Sequence, residues 1–384
     1  MTGTAGAALL RLTLARACAW ALLIAGWIGI GSLALQFAPS IGAAFALVAL
    51  WLLALGGTAA VATRGGVGRQ ARAIALAAVA ALTSAGLLWT VNGGGLPALI
   101  LALAGWAALT ALASGVVRSL RLAQAAVPAP PIVAASLGAL CAGLVLGDPG
   151  ELPGLATRLA LFVAAVAAIL ALLQSRIESS RAAPGCRAGL FDCSLPAWPA
   201  GAWRDTLQWP TLLAGLAMLP MMAALPMMAA MCRAQAIAPQ AMLLLHLGAM
   251  FAPVLVLRTT LAAWSPRTLS IVCAVLLATG AALALWAPAP INLLGLAAAH
   301  GAAWGLAWGG QLWAPARRGQ QGTSPLRAAA GYAALTLLFG LVVQRGGADG
   351  LVAVQAALGL VALLAWVYRV SAALVHRPAC KKAA

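Results

Sequence analysis

The sequence predicts an all-α membrane protein with twelve transmembrane helices arranged as two six-helix bundles. Hydrophobic residues make up 64% of the 384 residues and charged residues only 8%, whereas a soluble domain carries about 25% charged residues. Apolar runs of roughly 16–22 residues recur along the chain, and each can cross a hydrocarbon core about 30 Å thick. Basic residues alternate between successive loops, which is typical of a multi-pass membrane protein.

The first apolar run follows Arg11 and Arg16 and lacks a clear small-residue cleavage site, so we expect it to be retained as a span. Turn-forming residues separate the later runs, as at Gly147–Gly150, Ala287–Pro290 and Gly346–Gly350. The predicted spans are 18–37, 41–62, 73–91, 96–117, 132–146, 155–173, 211–232, 241–257, 269–286, 292–313, 328–343 and 351–370.

The net charge of +17 reflects membrane topology and does not predict a nucleic-acid partner. Of the 23 basic residues, only Arg158, Arg233 and Arg345 fall on one side of the predicted membrane, and the other 20 fall on the opposite side. Basic residues favour the cytoplasmic side. We therefore predict a multi-pass inner-membrane protein, in contact with lipid, with both termini in the cytoplasm.

The chain divides into an N-terminal bundle (1–173), a cytoplasmic linker (174–209) and a C-terminal bundle with a short cytoplasmic tail (210–384). This arrangement resembles the major facilitator superfamily. The Gly- and Arg-rich loop from Thr63 to Gln70 is similar to that superfamily's turn between spans two and three, although it lacks the acidic residue. The resemblance implies two pseudosymmetric six-helix bundles that rock about a site near the midplane.

Polar groups at membrane depth are candidates for function because they are costly there. All six acidic residues fall in loops or at span ends, so no carboxylate is expected within the spans. Apart from weakly acidic thiols, the ionisable side chains at depth are His246 in span eight and His300 in span ten. Alternatively, either histidine has a structural role, as a neutral imidazole that is hydrogen-bonded to a neighbouring helix. We leave His300 unassigned.

Methionines cluster around the first of these histidines. Eight of the nine methionines lie between Met218 and Met250. A single methionine usually fills a gap in a core, but this concentration in one helical hairpin favours a shared role. Met218 and Met222 share one face of span seven because they are four residues apart, and His246 and Met250 share a face of span eight in the same way.

Depth estimates place these two faces in register. Counted from the predicted cytoplasmic ends at 1.5 Å per residue, Met222 and His246 both lie about 16 Å deep. The same count places Met218 and Met250 about 10 Å deep. The four side chains would offer three thioethers and one imidazole near the midplane. Soft, neutral ligands of this kind favour Cu(I), whereas hard cations prefer carboxylates.

The two motifs, Met218-x-x-x-Met222 in span seven and His246-x-x-x-Met250 in span eight, resemble those of the CcoA-like copper importers of the major facilitator superfamily. The resemblance implies copper uptake across the bacterial inner membrane for the assembly of cbb-type haem–copper cytochrome c oxidase. The same four residues would be the metal ligands. Copper would be the transported substrate and no resident cofactor is expected. A copper chaperone in the cytoplasm or membrane would be a further partner.

Other candidate residues carry weaker signals. Met227, Met231 and Cys232, near the predicted periplasmic end of span seven, are candidates for receiving copper on entry; the alternative is ordinary packing. His376 and Cys380 in the tail are candidates for passing copper onward. The remaining cysteines are interpreted as cytosolic thiols of the linker or as small packing residues. These are Cys186 and Cys193 in the linker and Cys18, Cys141 and Cys273 in the spans.

Two rival functions remain open, and an enzyme is not expected because no catalytic constellation is present in the sequence. One rival is a major-facilitator transporter of an organic solute, although proton-coupled transporters of that kind usually keep charged residues in the cavity. The other is a non-transporting membrane assembly factor, which predicts a stable association with a partner complex and no copper defect on deletion.

The topology is directly testable. Reporter fusions at Glu178, in the linker, and at Lys382, in the tail, are expected to give a cytoplasmic signal, because both positions lie on the arginine-rich side. A periplasmic signal at either position would contradict the twelve-span topology.

Overall fold

The computed structural model describes residues 2–64, 78, 82, 95–122, 129–146, 158–159, 161–169, 209–261, 263–313 and 325–375. Across these ranges the chain is helical, with short turns between helices. The helices are α1 (Thr2–Phe37), α2 (Ile41–Arg64), α3 (Leu96–Leu122), α4 (Ala129–Leu146), α5 (Trp209–Ala223), α6 (Leu225–Ala234), α7 (Pro239–Val256), α8 (Arg258–Leu261), α9 (Pro266–Trp286), α10 (Ile291–Trp313) and α11 (Pro325–Val375). Residues 161–169 are also helical.

Except for α8, which lies in a predicted loop, each helix overlaps one or two predicted spans, and the longest extension is at the N-terminus. Helix α1 begins at Thr2, although the predicted span begins at residue 18, and its apolar membrane-length segment is Thr13–Ser32. Predicted span three is described only at residues 78 and 82. The linker, most of the loop from Thr63 to Gln70 and the extreme C-terminus lie outside the described residues.

In the described ranges, five helices are long and apolar enough to cross a membrane, and a bent pair forms a sixth candidate. One of the five, Ala329–Tyr368, has 40 residues, or about 60 Å of helix at 1.5 Å per residue. That length is about twice the thickness of the hydrocarbon core. The segment is therefore long enough for two crossings, which the sequence predicts as spans eleven and twelve.

The break between these crossings falls at Gly347, inside the predicted Gly346–Gly350 turn. Gly347 has φ 56° and ψ −133°, a conformation open essentially to glycine alone. Three residues later the chain has folded back, since a Cβ added at Gly350 would lie 2.8 Å from the carbonyl oxygen of Val342. The predicted turn is confirmed.

Predicted span seven is also broken. Helices α5 and α6 meet at Ala224, and the two segments form an angle of 76°. Pro220 lies within α5, where the helix continues, whereas Pro226 stands in the first turn of α6. Because proline lacks an amide hydrogen, Pro226 cannot bond to the carbonyl of Met222. From the sequence, Pro220 and Pro226 predict a bent or locally loosened span seven, because each removes a backbone donor inside it. The bend is confirmed, and it lies at the second proline.

Helix contacts recur with an offset of six spans, as a pseudo-two-fold arrangement requires. Helix α1 packs on α3, which is a contact between spans one and four. Helix α5 packs on α10, which is the equivalent contact between spans seven and ten. Likewise, α2 packs on α3 as α7 packs on α10. The two halves meet where α2 contacts α11 and where α4 contacts α7. Gly340 lies against Phe45 in the first contact, and Gly143 lies against Leu247 in the second.

The glycine turn of α11 generates a matched pair of variants. Gly347→Ala is expected to lower the free energy of unfolding by about 1–3 kcal/mol, because an alanine would be held in a strained backbone conformation. Gly346→Ala is the control, since an added Cβ meets nothing within 4 Å at either position and only Gly347 has a positive φ. Thermal unfolding in detergent measures both, and equal midpoints would contradict the backbone argument.

Candidate metal centre

The candidate centre lies where three helices of the C-terminal half meet. Helix α5 carries Met218 and Met222, α7 carries His246 and Met250, and α10 packs against both helices. All four side chains are buried, with exposed fractions between 1% and 4%. The structure therefore places the predicted ligands in the core of the molecule and away from its outer surface.

His246 makes two contacts that define its ring orientation. Its Nδ1 atom lies 2.7 Å from the carbonyl oxygen of Ala297 on α10. Its Nε2 atom lies 3.3 Å from the sulfur of Met218 on α5. The imidazole thus bridges the two helices that flank α7, and each ring nitrogen has a different chemical partner.

These contacts also determine the tautomer. The Ala297 carbonyl can only accept a hydrogen bond, so Nδ1 must carry the hydrogen. In a neutral imidazole the other nitrogen, Nε2, then has a lone pair and no hydrogen. That lone pair points at the thioether of Met218, which is itself a weak acceptor. Two electron-pair donors therefore face each other, and a histidine that binds a metal usually donates its other N–H in this way.

Gly301 makes the contact between His246 and Ala297 possible. It follows Ala297 by four residues, so a side chain there would cover the Ala297 carbonyl. A Cβ at Gly301 would lie 2.6 Å from the His246 carbonyl oxygen and 3.3 Å from its Nδ1. One turn further along α10, Gly305 lies against the carbonyl of Met250. The two glycines let the backbones of α7 and α10 approach closely at both predicted ligands on α7.

The structure shows a sulfur contact one helical turn from the one expected from depth. We expected His246 opposite Met222, and its Nε2 lies beside the sulfur of Met218. The depth count assumed two straight helices perpendicular to the membrane. Transmembrane helices tilt by about 20° on average, and the chain bends sharply just after α5, so residues counted to equal depth need not meet.

The other predicted residues fall in different surroundings. Met227 and Met231 lie on α6 beyond the bend and are half-buried, while Cys232 is buried. Their role in copper entry stays a prediction. Cys18 and Cys273 are buried as expected of packing residues, whereas Cys141 is exposed. The candidates Cys186, Cys193, His376 and Cys380 lie outside the described residues. In the part of the chain that the structure describes, no three His, Cys, Asp or Glu side chains lie together as a metal-binding group.

Two buried polar groups near the centre were not assigned from the sequence. His300 on α10 is 2% exposed, and neither ring nitrogen has a hydrogen-bond partner in the structure. Gln355 on α11 donates a hydrogen bond from Nε2 to the carbonyl of Ala217, next to Met218, over 3.1 Å. Gly301 and Gly305 form a Gly-x-x-x-Gly motif, the sequence signal that could have identified the close approach of α10.

An aromatic cluster lies beside the centre and joins the two halves. Trp20 of α1 contacts Phe251 of α7 and both Trp304 and Trp308 of α10, with ring centroids 5.1–5.9 Å apart and edge-to-face geometry. Trp304 and Trp308 stack at 5.9 Å. The indole N–H groups of these two residues are buried and have no hydrogen-bond partner in the structure. Phe251 directly follows Met250, so the cluster adjoins the predicted ligands.

The close approach of α7 and α10 is testable with two glycine variants. Gly301→Ala is expected to lower the thermal unfolding midpoint in detergent, with a loss of about 1–3 kcal/mol, because the added methyl group forces the two backbones apart. Gly248→Ala on α7 is the control, since a Cβ there meets nothing within 4 Å. A Gly301→Ala protein as stable as the control would contradict the packing described.

Comparison with solved structures identifies the fold. No protein-family model and no curated protein matches the sequence. The structure is similar to the nucleoside transporter NupG, with TM-score 0.61 and 14% identity over 95% of this chain and 98% of that chain. A single-residue mutant of the same transporter gives TM-score 0.58 and 16% identity over 94% and 99% of the two chains.

A further similar structure is the human organic anion transporter MFSD10, with TM-score 0.49 and 17% identity over 94% of this chain and 98% of that one. The two NupG structures span almost the whole of both chains at TM-scores near 0.6. The described residues of this chain are helical, and their helix contacts repeat after six spans. The chain has the major facilitator fold.

Proposed function

We propose that this protein is a copper importer of the bacterial inner membrane that supplies copper to cbb-type haem–copper cytochrome oxidase. One observation carries the proposal: the Nε2 lone pair of His246 faces the Met218 sulfur at 3.3 Å. With the hydrogen on Nδ1, as the Ala297 contact requires, a cation that accepts both electron pairs would convert this contact into two bonds.

The spacing of these donors suits one metal ion. Zinc binds nitrogen at about 2.0 Å and sulfur at about 2.3 Å. For a nitrogen and a sulfur that lie 3.3 Å apart, such bond lengths give a nitrogen–metal–sulfur angle of about 100°. That angle lies near the tetrahedral value. The buried sulfurs of Met222 and Met250 on the same helices are the proposed remaining ligands.

The donor set favours Cu(I) over harder ions. Thioethers bind soft metals, and imidazole accepts copper readily. All six carboxylates of the chain fall in predicted loops or at span ends; the one that the structure describes, Asp349, is exposed beside the Gly347 turn. A site without charged ligands would hold the ion weakly enough to release it, as a transport site requires.

The fold supplies a mechanism of passage. Transporters with two pseudosymmetric bundles bind substrate near the midplane and open alternately to either side. Met218 and Met222 lie immediately before the bend between α5 and α6, so movement of this segment would change the ligand positions. The proposed partners are the copper ion, membrane lipid and a copper chaperone in the cytoplasm or membrane; no nucleic acid and no resident cofactor are proposed.

Transport of an organic solute is the second candidate, and the fold fits it about as well. The aromatic cluster of Trp20, Phe251, Trp304 and Trp308 favours this alternative, because indole faces and N–H groups recognise flat polar rings. NupG, which shares the fold, is a nucleoside transporter. The solved proteins that share the fold are transporters, which supports a non-enzymatic function.

Ligand variants test the copper proposal. His246→Ala and Met222→Ala are each expected to reduce cellular copper accumulation to the level of a deletion strain, because each removes a ligand without breaking a charge pair. Met221→Leu is the matched control: Met221 is also buried but points about 100° away from Met222 around α5, and leucine preserves its bulk. Accumulation is measured in whole cells, with membrane content of each variant checked by immunoblot.

Equal impairment of the control and the ligand variants would show that the methionines only pack, and the copper proposal would fail. Added copper, but not zinc or manganese, is expected to restore cbb-type oxidase activity partly in a deletion strain through lower-affinity routes. Nucleoside uptake that depends on the gene, together with unchanged copper content, would favour the organic-solute alternative. A stable complex without either transport defect would favour an assembly factor.

A further inference from the structure

His300 is a buried histidine that the four-ligand centre leaves unexplained. It is 2% exposed, and both Nδ1 and Nε2 are buried without a hydrogen-bond partner in the structure. A buried polar atom left unpaired costs about 1–3 kcal/mol. Such an atom in a native core calls for a specific explanation, and ligand binding is one that the position of His300 supports.

The faces of α10 show which way His300 points. Ala297 and Gly301 face α7, because they contact His246. Ala303 faces α9, since its carbonyl accepts a hydrogen bond from Cys273. At 100° per residue, His300 lies about 60° from Ala297 and about 60° from Ala303, between the two contact faces and on the buried side.

A third helix, α5, carries Met218 and Met222 and also packs against α10. His300 lies outside both the α7-facing and the α9-facing sides of α10. One turn further along α10, Trp304 contacts Trp20 of α1. His300 is therefore directed to the interior between the helices, in the same layer as the Ala297 carbonyl that fixes His246.

We propose that His300 is an additional copper ligand, which supplies a second imidazole to the site formed by His246 and the methionines. This inference rests on the proposed function. The two histidines have different roles: the Ala297 carbonyl fixes the tautomer of His246, whereas the ring of His300 is tied to no partner and can present either nitrogen. His246 is the fixed ligand, and His300 is the adaptable ligand that follows the ion as the helices move.

The test uses purified full-length protein in detergent, loaded with Cu(I) under reducing conditions and studied by X-ray absorption. The wild type is expected to show two imidazole ligands, His300→Phe one, and His300→Met one imidazole with an added sulfur. His300→Phe is expected to bind Cu(I) at least about tenfold more weakly than the wild type, while His300→Met, which retains a soft donor, stays closer to it.

The outcomes separate this inference from the proposed function. Two imidazoles in His300→Phe, or one in the wild type, would overturn the role of His300 while leaving copper transport intact. Equal Cu(I) affinity of the wild type and both variants would do the same, because a packing role predicts no difference between phenylalanine and methionine. Absence of Cu(I) binding by the wild type would overturn the proposed function and this inference together. Thermal unfolding of both variants confirms that folded protein is compared.

Discussion

The contact between α7 and α10 determines the geometry of the candidate centre. His246 can bridge from α10 to α5 only because Gly301 leaves the Ala297 carbonyl uncovered. That hydrogen bond fixes the hydrogen on Nδ1 and directs the Nε2 lone pair toward Met218. In the membrane no water is available to satisfy the ring from outside, so the neighbouring helix must provide the partner. A small-residue surface on α10 is thus what gives His246 its chemical character.

The bend in predicted span seven connects this centre to the other half of the molecule. Pro226 leaves the carbonyl of Met222 without its helical partner, and this carbonyl lies against Gly31 of α1, where a Cβ would be 3.0 Å from the oxygen. The aromatic cluster links α1 to α7 and α10 next to Met250. Movement of the N-terminal half would therefore act on both the α5 and the α7 sides of the centre.

Local signals in the sequence predicted the elements, and non-local geometry decided the contacts. Gly347 and Pro226 could be recognised as break points because their effect depends on their own backbone chemistry. The shared faces of Met218 with Met222 and of His246 with Met250 followed from their four-residue spacing. The contact of His246 with Met218 depends on helix tilt and on the bend, which no residue pattern encodes. The Ala297 acceptor could not be predicted at all, because any backbone carbonyl on a neighbouring helix was an equal candidate.

Charge explains why a neutral site suits a monovalent ion. Transfer of a charge from water into a low-dielectric interior is unfavourable in proportion to the square of that charge, so a monovalent ion pays about one quarter of the penalty of a divalent ion of equal size. The acidic residues lie in predicted loops or at span ends, so no carboxylate is expected at the centre to compensate a divalent ion. Thioethers and imidazoles supply electron pairs without adding charge. The proposed Cu(I) ion would therefore meet a smaller penalty at this neutral centre than zinc or manganese, and the centre would hold it without a charge pair.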